Sequence, residues 1–277
     1  MRSYTLLSAV TLLGLSSLTA TQTLNIVAHQ DDDLLFQNPQ IIHDITAGRR
    51  VRTVYLTAGD AGKDSTYWTS RQTGALEAYA AMAGVPSHWD ESDAGVQGKD
   101  IPLYTLRDRP ISIAFMHMPD GSVDGDGFGT TGHETLEKLW KDKIPSIRTI
   151  DESGTRYTRA ELLNALTQII NDFNPDSINS LDFIHGYGTG DHSDHTAAGL
   201  FANESAKPSR FLGDVMAYRG YPIKNEPANV AGKDLDAKKA AFYTYGNYDS
   251  LVCASDQSCV GKEYELWLTR QYIANYT

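Results

Sequence analysis

The sequence predicts a three-layer α/β domain, with a mostly parallel sheet and helices on both faces. Two observations carry that expectation. Short β-branched or apolar runs alternate with longer stretches of helical periodicity, as in chains that build parallel sheets. Glycine, proline and asparagine mark the changes of period. The 277 residues are also long enough to bury about 75% of the unfolded surface around one core. Such a Rossmann-like sheet places ligands beyond the carboxyl ends of its strands.

The elements follow in order. Residues 24–28 form a short apolar run, the first strand. Residues 39–46 read as a helix with Pro39 in its first turn. Residues 51–57 are rich in β-branched side chains and predict a second strand, broken by Ala58-Gly59-Asp60-Ala61-Gly62. A helix is expected over 69–83, stopped by Gly84. Residues 111–118 predict a third strand, and 120–132 a glycine-rich loop. Amphipathic helices follow at 133–143 and 158–173, the second with a Thr158–Glu161 capping box. Asn174-Pro175-Asp176 ends it. A fourth strand is expected at 177–181, a helix at 191–206 and a fifth strand at 214–218. The tail carries helical stretches at 235–243 and 262–272. No internal repeat or low-complexity linker interrupts the chain.

Composition narrows the function classes. Lys and Arg number 24 against 35 Asp and Glu, a formal charge of −11. A chain this acidic lacks the basic footprint of a nucleic-acid binder or an anionic-lipid binder, so neutral, cationic or metallic partners are expected. Arg2, the apolar run at 6–15 and the small residues ending at Ala20 predict a secretory signal over residues 1–20. A single domain then spans 21–277, and the protein is expected outside the cell. A buried N-terminal helix is the alternative for the first segment. No later run is long enough for a transmembrane helix. Cys253 and Cys259 are an even pair in such a chain and suggest a disulfide closing a short loop. Two unpaired thiols are the other reading. Asn203-Glu204-Ser205 and Asn275-Tyr276-Thr277 match the N-glycosylation triplet. Oligomeric state leaves no trace in the sequence.

The chemistry-bearing residues fall into two clusters, each after a predicted strand. The first is Ala28-His29-Gln30-Asp31-Asp32-Asp33. Crowded carboxylates raise one another's pKa, and a bound cation removes that cost. A solvated acidic turn or an acidic helix start would also explain the pattern. The second cluster is Asp191-His192-Ser193-Asp194-His195. With Asp191 as cap, His192 and His195 fall on one helix face. Catalytic zinc commonly takes three protein ligands and keeps one position open. His29, one aspartate and His195 would form such a set. Surface histidines on a helix are the plainer reading of the second cluster.

These motifs resemble the paired signatures of the LmbE/PIG-L family, zinc-dependent N-acetylglucosaminyl deacetylases. That family's first motif reads Ala/Pro-His-Pro-Asp-Asp-Glu and its second often His-Pro-Asp-His. Thr57-Ala58-Gly59-Asp60, the Arg71 helix ending in Ala83-Gly84-Val85, and Met118-Pro119-Asp120-Gly121 extend the resemblance. It covers about 24–220. The resemblance implies His29, Asp32 and His195 as ligands of Zn2+ or another divalent metal. It implies Asp31 as general base and a protonated His192 stabilising the tetrahedral intermediate, with Asp194 orienting or polarising that histidine. Arg71 and Asp120 resemble residues that hold sugar hydroxyls. Gln30, Asp33 and Ser193 depart from the motifs but remove no ligand. The implied substrate is an N-acetylated amino sugar or glycoconjugate. A non-catalytic carbohydrate-binding protein and a zinc amidase for a non-sugar amine are the rival readings.

Other signals are weaker. Asp120–Gly125 imitates the start of a calcium loop, but Thr131 occupies the place of its bidentate glutamate. Tyr67 and Trp68, just before Arg71, are candidates for stacking on a sugar. His88, His117, His133 and His185 read as structural or surface groups rather than extra ligands. No nucleophile elbow or P-loop occurs.

Overall fold

The computed structural model describes residues 21–275, and the expected signal segment at 1–20 lies outside them. Its strands are β1 (Gln22–Val27), β2 (Arg50–Thr57), β3 (Trp89–Asp93), β4 (Pro102–Leu106), β5 (Ile111–Met118), β6 (Ile147–Arg148), β7 (Arg156–Tyr157), β8 (Ser177–Leu181) and β9 (Val215–Tyr218). Its α-helices are α1 (Gln40–Thr46), α2 (Ser65–Met82), α3 (Leu136–Trp140), α4 (Arg159–Phe173), α5 (Ser193–Ala206), α6 (Gly232–Gly246), α7 (Asp256–Cys259) and α8 (Glu263–Leu268).

Seven strands form one sheet in the order β3-β4-β5-β2-β1-β8-β9. β5, β2, β1, β8 and β9 run parallel. They are almost wholly buried, as strands covered on both faces must be. From β1 the chain builds outward through β2 to β5, then returns to add β8 on the other side of β1. Strand order therefore reverses between β1 and β8, where open α/β sheets hold their ligands. Helices α3, α4 and α5 pack together beside β1 and β8, and α2 packs on α6. These layers make the three-layer α/β fold that the sequence predicts.

The five expected strands are present within two residues. The sheet also carries an unforeseen antiparallel edge, where β3 pairs with β4 and β4 with β5. β3 is largely exposed, so it lacks the apolar alternation that marks a strand in sequence. Helix α2 starts at Ser65 rather than 69, because Asp64 caps it by accepting from Tyr67 N. The helix expected over 133–143 shrinks to Leu136–Trp140, since His133 has a left-handed backbone and Thr135 supplies the cap. The capping box of α4 forms as expected. A five-residue π-helical turn, Asp33–Gln37, follows the first motif. The tail helix expected over 262–272 is shorter, Glu263–Leu268.

Helix α5 lies so close to the sheet that a Cβ on Gly199 would overlap Leu181 O of β8. Gly199→Ala should therefore destabilise the protein, although alanine is intrinsically better in a helix by about 0.8–1 kcal/mol. Chemical denaturation gives the sign.

Buried Lys238 of α6 ties down the tail by donating to Trp267 O (3.3 Å) and Arg270 O (2.6 Å). Burial pushes its pKa down to about 7. The unfolded chain, whose lysine titrates near 10.4, then binds more protons between those values. Stability from this group accordingly rises with pH from about 7 to about 10. Lys238→Met should flatten that rise in denaturation curves taken across the range.

Candidate metal centre and catalytic cleft

Both motifs sit on the loops leaving the paired strands β1 and β8. In register, Ile26 stands beside Ser180, so the two loops emerge together although His29 and Asp194 are 165 positions apart. The His29, His192 and His195 rings have centroid separations of 4.6–5.4 Å. Their donor nitrogens lie within 4.8 Å of one another. All three are buried, as are Asp32, Asp120 and Asp194.

His195 is prepared to be a ligand. Its Nδ1 lies 2.7 Å from Asp191 Oδ1, which also accepts from the backbone N–H of His192 (2.9 Å) and Tyr221 (3.0 Å). A proton held at Nδ1 leaves a lone pair on Nε2. That nitrogen is buried without a hydrogen bond, although Asp32 Oδ1 lies 2.8 Å away. His29 Nδ1 is 3.3 Å from Asp32 Oδ2, while its Nε2 meets Asp194 Oδ2 at 3.3 Å. Asp32 Oδ2 is itself fixed by the His29 N–H at 2.6 Å. His29 Nδ1 and His195 Nε2 thus both face the Asp32 carboxylate, while the groups whose donor atoms all fall within 4.8 Å of one another are His29 with His192 and His195, and His29 with Asp120, His192 and Asp194. Donors of one tetrahedral zinc at about 2.0–2.2 Å stand roughly 3.3–3.6 Å apart. The orphaned Nε2 and the mixed nitrogen/oxygen donor set fit a divalent ion. Asp191 and Asp194 back the outer nitrogens of His195 and His29, the placement that carboxylates commonly take behind ligating histidines.

His192, not Asp191, caps α5, and its Nδ1 accepts from Asp194 N at 3.1 Å. The ring can therefore hold one proton only, at Nε2. Burial, followed by repulsion from His29 and His195, pushes its pKa down to about 3. With Nδ1 accepting from Asp194 N, Nε2–H is the donor that this ring offers. Asp194 differs from expectation too. Its amide positions His192, but its carboxylate turns to His29 and to Gly121 N (2.7 Å).

Asp31 lies on the cleft wall, its Oδ1 held by Arg71 Nη2 at 2.7 Å. Burial raises the Asp31 carboxyl above its ordinary value, and Arg71 pulls the other way. Arg71 was expected to hold sugar hydroxyls. Instead its Nε donates to Tyr245 OH (2.6 Å) and its Nη1 to Gly59 O (2.6 Å). A Cβ on Gly59, whose φ is +57°, would overlap that guanidinium. Asp120 does face the cleft, 3.7 Å from His192 Nε2. It is placed by Asp60 Oδ1, which accepts from Asp120 N at 2.8 Å. Gln30, where the motif has proline, tethers the first loop by donating to Thr57 O at 3.1 Å. Asp33 points away from the cleft and accepts from Tyr55 OH (3.0 Å) and Tyr79 OH (2.6 Å).

His29, Asp31, Arg71, Asp120 and His192 line a cleft of about 230 Å³. Tyr67 lines it as well, whereas Trp68 does not and packs on His117. One wall was not foreseen. Tyr221, Asp249, Leu251, Val252 and Tyr264 come from the tail, where no motif was visible. Cys253 and Cys259 form a disulfide, with Cα atoms 5.2 Å apart, directly after that wall segment. His117 is buried between Gln72 and Asp151, His185 pairs with Asp182, and His133 meets backbone carbonyls. None of them joins the cluster.

The family model described as PIG-L: GlcNAc-PI de-N-acetylase matches residues 24–206. The chain belongs to the PIG-L family. As a member it is an N-deacetylase, and its cluster is suited to metal-dependent chemistry. No curated protein sequence matches it. Among solved structures it is similar to N,N'-diacetylchitobiose deacetylase from Pyrococcus horikoshii, at 18% identity and TM-score 0.53, covering 90% of this chain and 76% of that one. It is also similar to the conserved protein TT1542 from Thermus thermophilus, at 16% identity and TM-score 0.47, covering 88% and 84%. A third is GalB, the 4-carboxy-2-hydroxymuconate hydratase from Pseudomonas putida, at 13% identity and TM-score 0.47, covering 89% and 82%. At these identities the likeness is one of fold. The PIG-L match ends at residue 206, so the tail wall of the cleft lies beyond it.

Asp191→Asn should weaken metal binding about 10–100-fold without unfolding the protein, the usual effect of losing a carboxylate behind a histidine ligand. His195→Ala should abolish stoichiometric binding. Equilibrium dialysis against buffered zinc reads both.

Proposed function

We propose that the chain is a secreted metal-dependent deacetylase that removes the N-acetyl group from an amino sugar or glycoconjugate. The observation that carries this reading is the pairing of a three-donor set, His29, Asp32 and His195, with an adjacent carboxylate that keeps one oxygen unengaged. Asp31 Oδ1 is held by Arg71, and no other described side-chain hydrogen bond reaches that carboxylate.

His29, Asp32 and His195 would hold the divalent metal, which would supply Lewis acidity, lowering the pKa of a water from 15.7 to about 7 if it is zinc. Asp31 Oδ2 takes the proton of the attacking water and returns it to the departing amine. Its raised pKa suits the second task, because a carboxyl must hold the proton before giving it up. His192 Nε2–H faces the same space and donates to the oxygen on which charge develops. One such donor is worth about 2.7–4 kcal/mol in the transition state. Asp120 and Tyr67 line the sugar side of the cleft. Val123 and Leu251, 57% and 51% exposed, form an apolar rim at its mouth. A polar floor under an apolar rim matches a pyranose, which has hydroxyl edges and apolar faces. The signal pattern and the disulfide support a secreted protein.

Acetate release from N-acetylated sugars and oligosaccharides, by metal-stripped and zinc-restored enzyme, tests the proposal. Release that returns with zinc is expected. Asp31→Asn should lower kcat about 10²–10⁴-fold while retaining zinc. Stoichiometric zinc without release from any sugar would refute the sugar assignment.

A further inference from the structure

Arg71 is a buried cation shared by two carboxylates. On the cleft side its Nη2 meets Asp31 Oδ1 at 2.7 Å. On the other side its Nε lies 3.0 Å from Asp249 Oδ2. The Asp249 side chain is 1% exposed, and both of its oxygens are engaged. Oδ1 accepts from Tyr67 OH (2.9 Å) and Leu251 N (2.9 Å). Oδ2 accepts from Tyr245 OH at 2.6 Å, the hydroxyl that also accepts from Arg71 Nε. We infer that Asp249 is a positioning residue for the deacetylation, acting through Arg71 to present Asp31 to the attacking water.

The argument is one of geometry and charge sharing. A guanidinium and a lone carboxylate pair most strongly as a two-pronged fork, both oxygens engaged. Such a fork on Asp31 would occupy the oxygen that must take a proton. Here Arg71 cannot form it. Its Nε edge is claimed by Asp249 and Tyr245, and Nη1 is claimed by Gly59 O. Only Nη2 reaches Asp31, which is thereby anchored through one oxygen. Asp249 also fixes Tyr67, on the same cleft wall. The residue lies outside the 24–206 span matched by the family. It is held four positions before Cys253, whose disulfide secures that loop. The inference rests on the proposed role of Asp31 as base.

A double-mutant cycle on the full-length, zinc-loaded enzyme tests it. Asp249→Asn preserves shape and removes the charge that competes for Arg71. It should lower kcat about tenfold or more, as small misplacements of a reacting group do, with KM within about twofold and zinc content unchanged. In an Asp31→Asn background the same substitution should cost no further turnover, because partners in one pathway do not add. An unchanged kcat, a loss confined to KM, or a full additional loss in the Asp31→Asn background would overturn the inference. If Asp31→Asn alone leaves kcat intact, the reading of Asp31 as base fails instead. Should Asp249→Asn not fold, Tyr245→Phe loosens the same link, and its cycle with Asp31→Asn decides the matter by the same criteria.

Discussion

The parallel pairing of β1 with β8 is the constraint on which the site depends. It sets two distant loops side by side at the point where the sheet changes direction. A one-residue slip of either strand would turn its side chains to the opposite face and carry its motif away from the other. The strands resist such a slip because both are buried and because polar side chains key them together. Asn179 donates to Asn25 Oδ1, and Asn25 donates to Thr53 Oγ1. Thr53 meets Tyr79, whose hydroxyl reaches Asp33 beyond the first motif. The chain of bonds thus crosses the sheet and ends on the loop it must position.

Around that frame the site gathers more carboxylates than a buried space ordinarily tolerates. Each is balanced by a different device. Asp191 is held by two backbone amides and a ring N–H. Asp194 takes the Gly121 amide and the His29 ring. Asp31 and Asp249 share Arg71. Asp32 is held by the His29 N–H and flanked by the His29 and His195 rings. Small residues make room for this arrangement. A Cβ on Gly220 would overlap Asp191 and His195 Nδ1, and one on Gly121 would overlap Asp194. These glycines matter through close approach rather than through a special φ.

Much of the frame was legible in the sequence. Apolar runs marked the parallel strands, and His29, Asp31, Asp120 and His192 line one cleft, with Asp32, Asp194 and His195 packed against them. Finer features left no local mark. Strand β3 is too polar to announce itself as a strand. The hydrogen bond from Asp194 N, which leaves His192 a single proton, depends on the cap geometry of α5. Arg71 finds its partners Asp31 and Tyr245 at 40 and 174 residues' distance along the chain. Asp60 and Asp191 stood inside visible motifs, but a carboxylate's role depends on which amides it faces, and no spacing rule gives that. Asp249, Tyr245 and Gly220 stand where no motif was recognised.

The cleft is assembled from two stretches with separate duties. His29, Asp31, Asp32 and His195 come from the span that matches the family, and the opposing wall from the tail that follows it. The Tyr264, Leu251 and Val252 side chains line that wall and form no described hydrogen bond with the His29, Asp32 or His195 side chains. Part of the tail also supports the site, since Tyr221 N donates to Asp191 and Gly220 leaves room for His195. Asp249 is a wall residue whose exchange would reach the reacting carboxylate.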